Sequence, residues 1–250
     1  MDQNLQARHL LISGAAGTLG RAAALACAAA GATTILLDKN LNGLELLYDE
    51  IEAAGGPTPA LYPLDLAGAS ESDFAELAAR IERELGALHG LLHAANEPGV
   101  LGPLIDLGGH EVERAFRVNC GAPLQLTRAL LPLLTRTGDA SIVFVSDTAA
   151  RVAKAYWGAY GISKIALEGL ARILSEETAA AGRVRVHTFL PGPYRSPVHL
   201  RAFPGGASKT LPEAAQLGPA LVALLAGGGP AIAREATSPS THQTGQAHVR

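Results

Sequence analysis

Tyr160 and Lys164 stand four residues apart, a spacing that on a helix puts a phenol and an ammonium on one face. A phenol with an ordinary pKa of about 10 is a poor base at neutral pH, and an adjacent cation favours its phenolate. A tyrosine so placed can exchange a proton with a substrate oxygen. A surface helix with an unrelated Tyr and Lys would show the same spacing, so the pair needs a setting.

The setting lies at the start of the chain. There Gly14-Ala-Ala-Gly17-Thr-Leu-Gly20 follows the apolar run His9-Leu-Leu-Ile-Ser13. Gly14 lets the chain turn sharply off a strand, Gly17 leaves out a Cβ where a pyrophosphate must approach, and Gly20 lets the following helix lie close on the strand. The unpaired N–H groups and the positive end of that helix favour phosphate. A second apolar run, Thr33-Thr-Ile-Leu-Leu37, ends in Asp38, at the separation where a carboxylate meets the adenosine ribose hydroxyls. Strand, glycine turn, helix, strand and acid together read as half of a dinucleotide-binding fold.

The rest of the chain continues the alternation. Helical spacing is expected over residues 41–54, 72–85, 157–181 and 213–226, and extended runs over 60–66, 88–95, 141–145 and 184–190. Residues 111–137 read as one extended helix that Pro123 and Pro132 must bend or interrupt. Residues 191–212 are rich in proline, glycine and arginine, with 194–212 a candidate substrate lid. The tail 237–250 is polar, with a last strand expected near 246–249. Such an alternation implies an α/β doubly wound parallel sheet of about seven strands in a single domain, 1–250, with helices on both faces. Ligands of such sheets sit beyond the carboxyl ends of the strands.

The chain has 250 residues, 48% of them hydrophobic and 17% charged, enough to bury a sizeable core. A net charge of −3 and a pI near 6.2 carry no basic footprint for nucleic acid. Cys27 and Cys120 suit neither a disulfide framework nor a zinc site, and they read as reduced interior thiols; no metal is expected. Without a signal-peptide pattern or a long apolar span, the expectation is a cytoplasmic protein with no membrane partner.

Gly14 to Gly20, Asp65, Asn119, Tyr160-x-x-x-Lys164 and Pro191-Gly192-x-x-x-Ser196 follow one another as in the short-chain dehydrogenase/reductase superfamily, which the chain resembles over nearly its whole length. The run from Trp157 to Lys164, Leu130-Leu-Pro-Leu-Leu134 and Phe203-Pro204 are most similar to the bacterial YciK-type oxidoreductases. The resemblance implies a Rossmann-like enzyme, a homodimer or homotetramer, that interconverts an alcohol and a carbonyl by hydride transfer with a nicotinamide dinucleotide. It makes Tyr160 the general acid or base and Lys164 the residue that binds the nicotinamide ribose and lowers the Tyr160 pKa. Asn119 would hold a water that connects Lys164 to solvent. Cofactor contacts are implied for Gly14, Gly17, Thr18, Leu19, Gly20, Asp38, Asp65, Leu66, Ala94, Ala95, Tyr160, Lys164, Pro191, Gly192 and Ser196. Asp65 could instead cap a turn, Asn119 satisfy a helix bend, and Ser196 be a loop hydroxyl.

The chain departs from the family pattern in four places. Asp147 stands thirteen residues before the tyrosine, where the family has its active-site serine. An ionised carboxylate accepts hydrogen bonds but cannot donate one, and its charge opposes Lys164 in setting the Tyr160 pKa. Three outcomes are open: Ser146 or Thr148 takes over, Asp147 is held protonated, or carbonyl chemistry is impaired. The last would leave a nucleotide-binding sensor or partner subunit in place of an enzyme. His93-Ala94-Ala95-Asn96 replaces Asn-Asn-Ala-Gly after the fourth strand, and His93 reads as a hydrogen-bonded interior histidine. Thr18 and Ala150 each replace a glycine. For the cofactor, Asp38 favours NAD over NADP, because it accepts from a ribose diol and repels a 2′-phosphate, while Lys39 partly offsets that preference.

Overall fold

The computed structural model describes residues 4–148, 153–205, 210–230 and 232–234. Seven strands form one sheet: β1 His9–Ser13, β2 Thr33–Asp38, β3 Ala60–Pro63, β4 Gly90–His93, β5 Ala140–Val145, β6 Val184–Leu190 and β7 Ile232–Arg234. Their order is β3-β2-β1-β4-β5-β6-β7, and every pairing is parallel. The order reverses between β1 and β4, so the crossovers leave to opposite sides there and open a crevice at the strand tips.

Among the described residues eight α-helices accompany these strands: α1 Thr18–Ala29, α2 Leu41–Ala53, α3 Glu71–Leu85, α4 Gly109–Phe116, α5 Ala122–Thr137, α6 Gly158–Ala179, α7 Pro197–Ala202 and α8 Gly218–Leu225. Side chains alternate across a strand. Leu10 and Ile12 of β1 therefore join a core with Ala23, Leu44, Leu47 and Leu221 from α1, α2 and α8. Leu11 between them joins a second core with Phe74, Leu126 and Leu167 from α3, α5 and α6. Strands buried on both faces explain why the sequence shows apolar runs instead of alternation.

The helix expected over 111–137 is broken earlier than its prolines suggest. A π-helical turn, Arg117–Gly121, separates α4 from α5. Pro123 then occupies the first turn of α5, where a missing N–H costs little, and Pro132 is carried inside the helix. β3 stops at Pro63, and the next N–H, from Leu64, is donated to Asp38 O at 3.0 Å. The helix expected over 213–226 is a 3-10 turn, Ala214–Leu217, followed by α8. Within the expected loop 191–212, Ser196 caps the short α7 by accepting from His199 N at 3.2 Å. A final strand lies at Ile232–Arg234, and the region 246–249 where one was expected lies outside the described residues. Among the described residues no helix is long and apolar enough to cross a membrane.

Candidate active site

A cleft of about 890 Å³ runs along the carboxyl ends of the strands. It is bordered by Gly14, Gly17, Thr18, Leu19, Gly20, Asp38, Asp65, Leu66, Ala94, Ala95, Ser146, Asp147, Tyr160, Lys164, Pro191, Gly192 and Ser196. Sequence reasoning had gathered these residues from separate elements, and the sheet brings them together. Asn119 stands just behind the wall, in the π-helical turn.

At the β1 end the glycines divide by role. Gly14 has φ 71°, and a Cβ there would meet Ala95 Cα at 2.5 Å. A Cβ on Gly20 would be driven into the Gly14 carbonyl. These two are required by the protein's own backbone. Gly17 caps α1 in an extended conformation with no side-chain hydrogen bond, and a Cβ there would touch only the Gly14 carbonyl oxygen, at 3.1 Å. The space its missing side chain leaves opens on the cleft, so this cradle fits a pyrophosphate at a helix N-terminus. Asp38 ties the loop to β2: its Oδ2 accepts Ala16 N at 3.1 Å and its Oδ1 accepts Asn40 N at 3.0 Å. Asp65 closes a turn by accepting Ala67 N at 3.0 Å.

At the other end, α6 presents Tyr160, Lys164 and Glu168 at intervals of four along a buried face. The Tyr160 hydroxyl donates to Asp147 Oδ2 at 3.0 Å, and the Asn96 side chain lies close by. Tyr160 is only 3% exposed; burial first, then the charge and hydrogen bond of Asp147, hold its pKa well above the usual tyrosine value. This reverses the expectation that Lys164 draws it down. The Lys164 ammonium lies 5.8 Å from the Tyr160 ring centroid and donates to Val145 O at 2.9 Å. Burial lowers the Lys164 pKa to about 8, against the pull of Asp147.

Ser146 does not stand in for the missing serine, because its hydroxyl donates to Glu168 Oε1 at 2.7 Å, in the interior. Thr148 is exposed at the cleft. Asn119 is fully engaged: it accepts Glu97 N at 2.8 Å, and its Nδ2 donates to Glu97 O at 2.8 Å and to Ser163 Oγ at 2.9 Å. It thereby fastens the segment after β4 to α6. His93 packs flat against Phe144 with ring centroids 4.7 Å apart, hydrogen-bonds Thr127 Oγ1 at 2.9 Å, and is pushed by burial to a pKa of about 3. That makes it the interior histidine expected. Burial raises the Cys27 thiol to about 12, and Cys120 is half-buried. Ala150 lies outside the described residues.

Sequence reasoning passed over two residues, Glu97 and Glu168, and named Asn96 without giving it a role. The Asn96 side chain lies beside the Tyr160 hydroxyl. Glu97 borders the cleft and is paired with Arg114 at 2.7 Å. Glu168 receives the Ser146 hydroxyl. Only Asn96 carried a signal, since it directly follows the apolar run that ends the fourth strand.

A parallel sheet with a glycine loop at its switch point and a Tyr-Lys helix across the same cleft defines a Rossmann-like dinucleotide-binding protein. The short chain dehydrogenase family profile matches residues 8–204. The chain is 36% identical over 200 residues to the oxidoreductase YciK of Escherichia coli strain K12, covering 80% of this chain and 79% of that one. A structure described as a short chain dehydrogenase from Pseudomonas syringae superposes with a TM-score of 0.87 at 40% identity, covering 90% of this chain and 91% of that one. One from Shigella flexneri, complexed with NADP, does so with a TM-score of 0.86 at 33% identity, covering 90% and 93%. The chain belongs to the short chain dehydrogenase family, and it is an oxidoreductase of that family with a nicotinamide dinucleotide site.

Proposed function

We propose that the protein interconverts an alcohol and a carbonyl at the inner end of this cleft, with Tyr160 moving the proton. The bound nicotinamide dinucleotide supplies or takes the hydride. The observation that carries the reading is the Tyr160 hydroxyl on the same cleft as the glycine cradle, hydrogen-bonded to Asp147 with Asn96 beside it. With its pKa raised, Tyr160 rests as a phenol and is primed to donate, so it acts as a general acid on a carbonyl oxygen. Lys164 keeps a positive charge under the ring and stabilises the phenolate that donation leaves behind. One of its N–H bonds goes to Val145 O, and the others are available to a ribose hydroxyl. Asn119 serves as a positioning residue that holds the Glu97 backbone against α6.

The cofactor preference rests on Asp38, whose carboxylate lies at the β2 tip on the cleft and repels a 2′-phosphate; Lys39 beside it narrows the difference. We assign NAD as the preferred partner and NADP as the weaker one, although the Shigella flexneri relative is complexed with NADP. Residues 194–205 and 210–212 flank the substrate end as a lid. The exposed side chains Leu124 and Ile173 on α5 and α6 suit a homodimer or homotetramer.

The test is a spectrophotometric assay across aldehydes, ketones and alcohols with both coenzymes. Turnover that Tyr160→Phe lowers by about 10²–10⁴-fold while dinucleotide binding persists is the expected result. Binding without turnover on any substrate, unchanged in Asp147→Ser, would overturn it in favour of a nucleotide-binding sensor.

A further inference from the structure

Beyond Tyr160 the cleft continues outward along a row of rings. The Trp157 ring lies 5.7 Å from that of Tyr160, and the Phe203 ring 6.3 Å from that of Trp157. Exposure rises along the row, from 3% at Tyr160 through 8% at Trp157 to 37% at Phe203, so it leads from the reacting end to the mouth. The Lys154 ammonium stands at the outer end, 5.4 Å from the Phe203 ring centroid, and all four residues border the cleft.

The charges at the two ends differ in how they are answered. At the reacting end the Lys164 ammonium and the Asp147 carboxylate attract each other, and Asp147 also accepts the Tyr160 hydroxyl at 3.0 Å. On the lid, Arg195 is paired with Glu213 at 2.9 Å and Arg201 donates to Gly99 O at 2.6 Å. Lys154 makes no ion pair with a carboxylate among the described residues, and its contact there is the Phe203 ring. An ammonium seated on a ring keeps its outward N–H bonds for an anion. The His199 ring, also on the cleft, lies 4.8 Å from that of Phe203 and brings a second nitrogen-bearing side chain to the same spot.

We infer that the substrate carries a carboxylate remote from its reacting carbon: an oxo acid in one direction and the corresponding hydroxy acid in the other. Its oxygen lies on Tyr160, its apolar body crosses Trp157 and Phe203, and its carboxylate reaches Lys154. This rests on the alcohol–carbonyl reading above and names the substrate class for it. A carboxylate on the carbon next to the carbonyl is outside the class, because it would lie at Tyr160 with two further rings between it and Lys154. The step balances without a further reactant. The carbonyl carbon gains a hydride from the reduced nicotinamide dinucleotide, which leaves oxidised by two electrons. The carbon–oxygen π pair moves to oxygen, which takes the Tyr160 proton, and the phenolate regains a proton from solvent. The remote carboxylate is unchanged.

The size and kind of the effect follow from where Lys154 sits. It is exposed, so its pull on a carboxylate is that of a surface ion pair, a few-fold in affinity and screened by salt. It is separated from the reacting atoms by two rings, so it holds the ground state and the transition state alike and acts on KM.

The experiment compares reduction of 3-(4-acetylphenyl)propanoate with that of its methyl ester, which keeps the ketone and the ring and removes the charge. The full chain is used, with NADH and NADPH in turn. The expected result is a kcat/KM at least about threefold higher for the acid, carried by a lower KM. Lys154→Gln should abolish this preference, Lys154→Glu reverse it and Lys154→Arg retain it. A second measurement needs no variant: the preference of the unaltered chain should shrink as salt is raised. Equal or faster turnover of the ester, a preference that lies in kcat or resists salt, or one that survives in Lys154→Gln overturns the inference and leaves the oxidoreductase reading in place. Dinucleotide binding with turnover of neither ketone overturns the inference as well. A chain that binds no dinucleotide overturns both readings.

Discussion

Tyr160 and His93 show how burial alone assigns chemistry to residues that a sequence leaves ambiguous. Both are removed from water and both lose their charged form, the phenolate in one case and the imidazolium in the other. For Tyr160 this creates a proton donor at the base of a cleft. For His93 it removes any role as an acid or base near neutral pH and leaves a stability cost on acidification. Its folded pKa, about 3, lies below the value of 6.5 expected without the fold, so the native state binds fewer protons between those limits. Stability is therefore retained in full above the higher value and is lost as pH falls toward the lower, by at most about 1.4 kcal/mol per pH unit. Urea unfolding at about pH 7 and about pH 5 should show this loss, and His93→Gln, which keeps a partner for Thr127 but does not titrate, should flatten it. An unchanged slope in the variant would place the acid sensitivity elsewhere.

At the scale of elements, the turn from β1 into α1 separates what the fold requires from what a ligand requires. Gly14 and Gly20 are crowded by the chain itself, whereas Gly17 faces the cleft. Gly20→Ala should therefore destabilise the protein by about 1–3 kcal/mol, the usual cost of forcing an extra methyl into packed structure. Gly17→Ala should fold with nearly unchanged stability yet bind dinucleotide at least tenfold more weakly, measured by calorimetry. If both substitutions cost only stability, the loop is a packing device and not a phosphate cradle. The π-helical turn makes a parallel case on the other side of the site. By adding a residue to the helical path it points Asn119 at the Glu97 backbone and at Ser163 on α6, so three segments meet at one amide.

For the whole molecule, the sheet is the device that makes distant residues neighbours. Its switch point between β1 and β4 puts the glycine loop opposite α6, and a dinucleotide lying across it would bridge both halves of the core. A ligand that binds only the folded chain stabilises it by mass action, by about 2.7 kcal/mol at a hundredfold excess over Kd. For a chain of this length that is a rise in Tm of about 5–10 °C. NADH should give the larger shift and NADPH the smaller at equal concentration, and Asp38→Ala should bring the two together. A larger shift with NADPH would reverse the preference assigned to the Asp38–Lys39 pair.

The local chemistry was legible from the sequence because it depends on spacing along one element. The glycine turn, the acid at the end of β2, the Tyr-Lys pair and the strand order of residue types are all short-range patterns, and they were enough to place the dinucleotide cleft. What neighbouring elements contribute could not be read in the same way. The commitment of the Ser146 hydroxyl to Glu168, the clamp by Asn119 and the rise in the Tyr160 pKa each need segments far apart in sequence to meet. The Tyr160 case shows the physical reason. Sequence spacing gives a tyrosine its cation at a fixed distance along a helix and names Asp147 as the opposing charge, but how much water surrounds the group, and therefore which influence prevails, is decided only when β5 and α6 pack together.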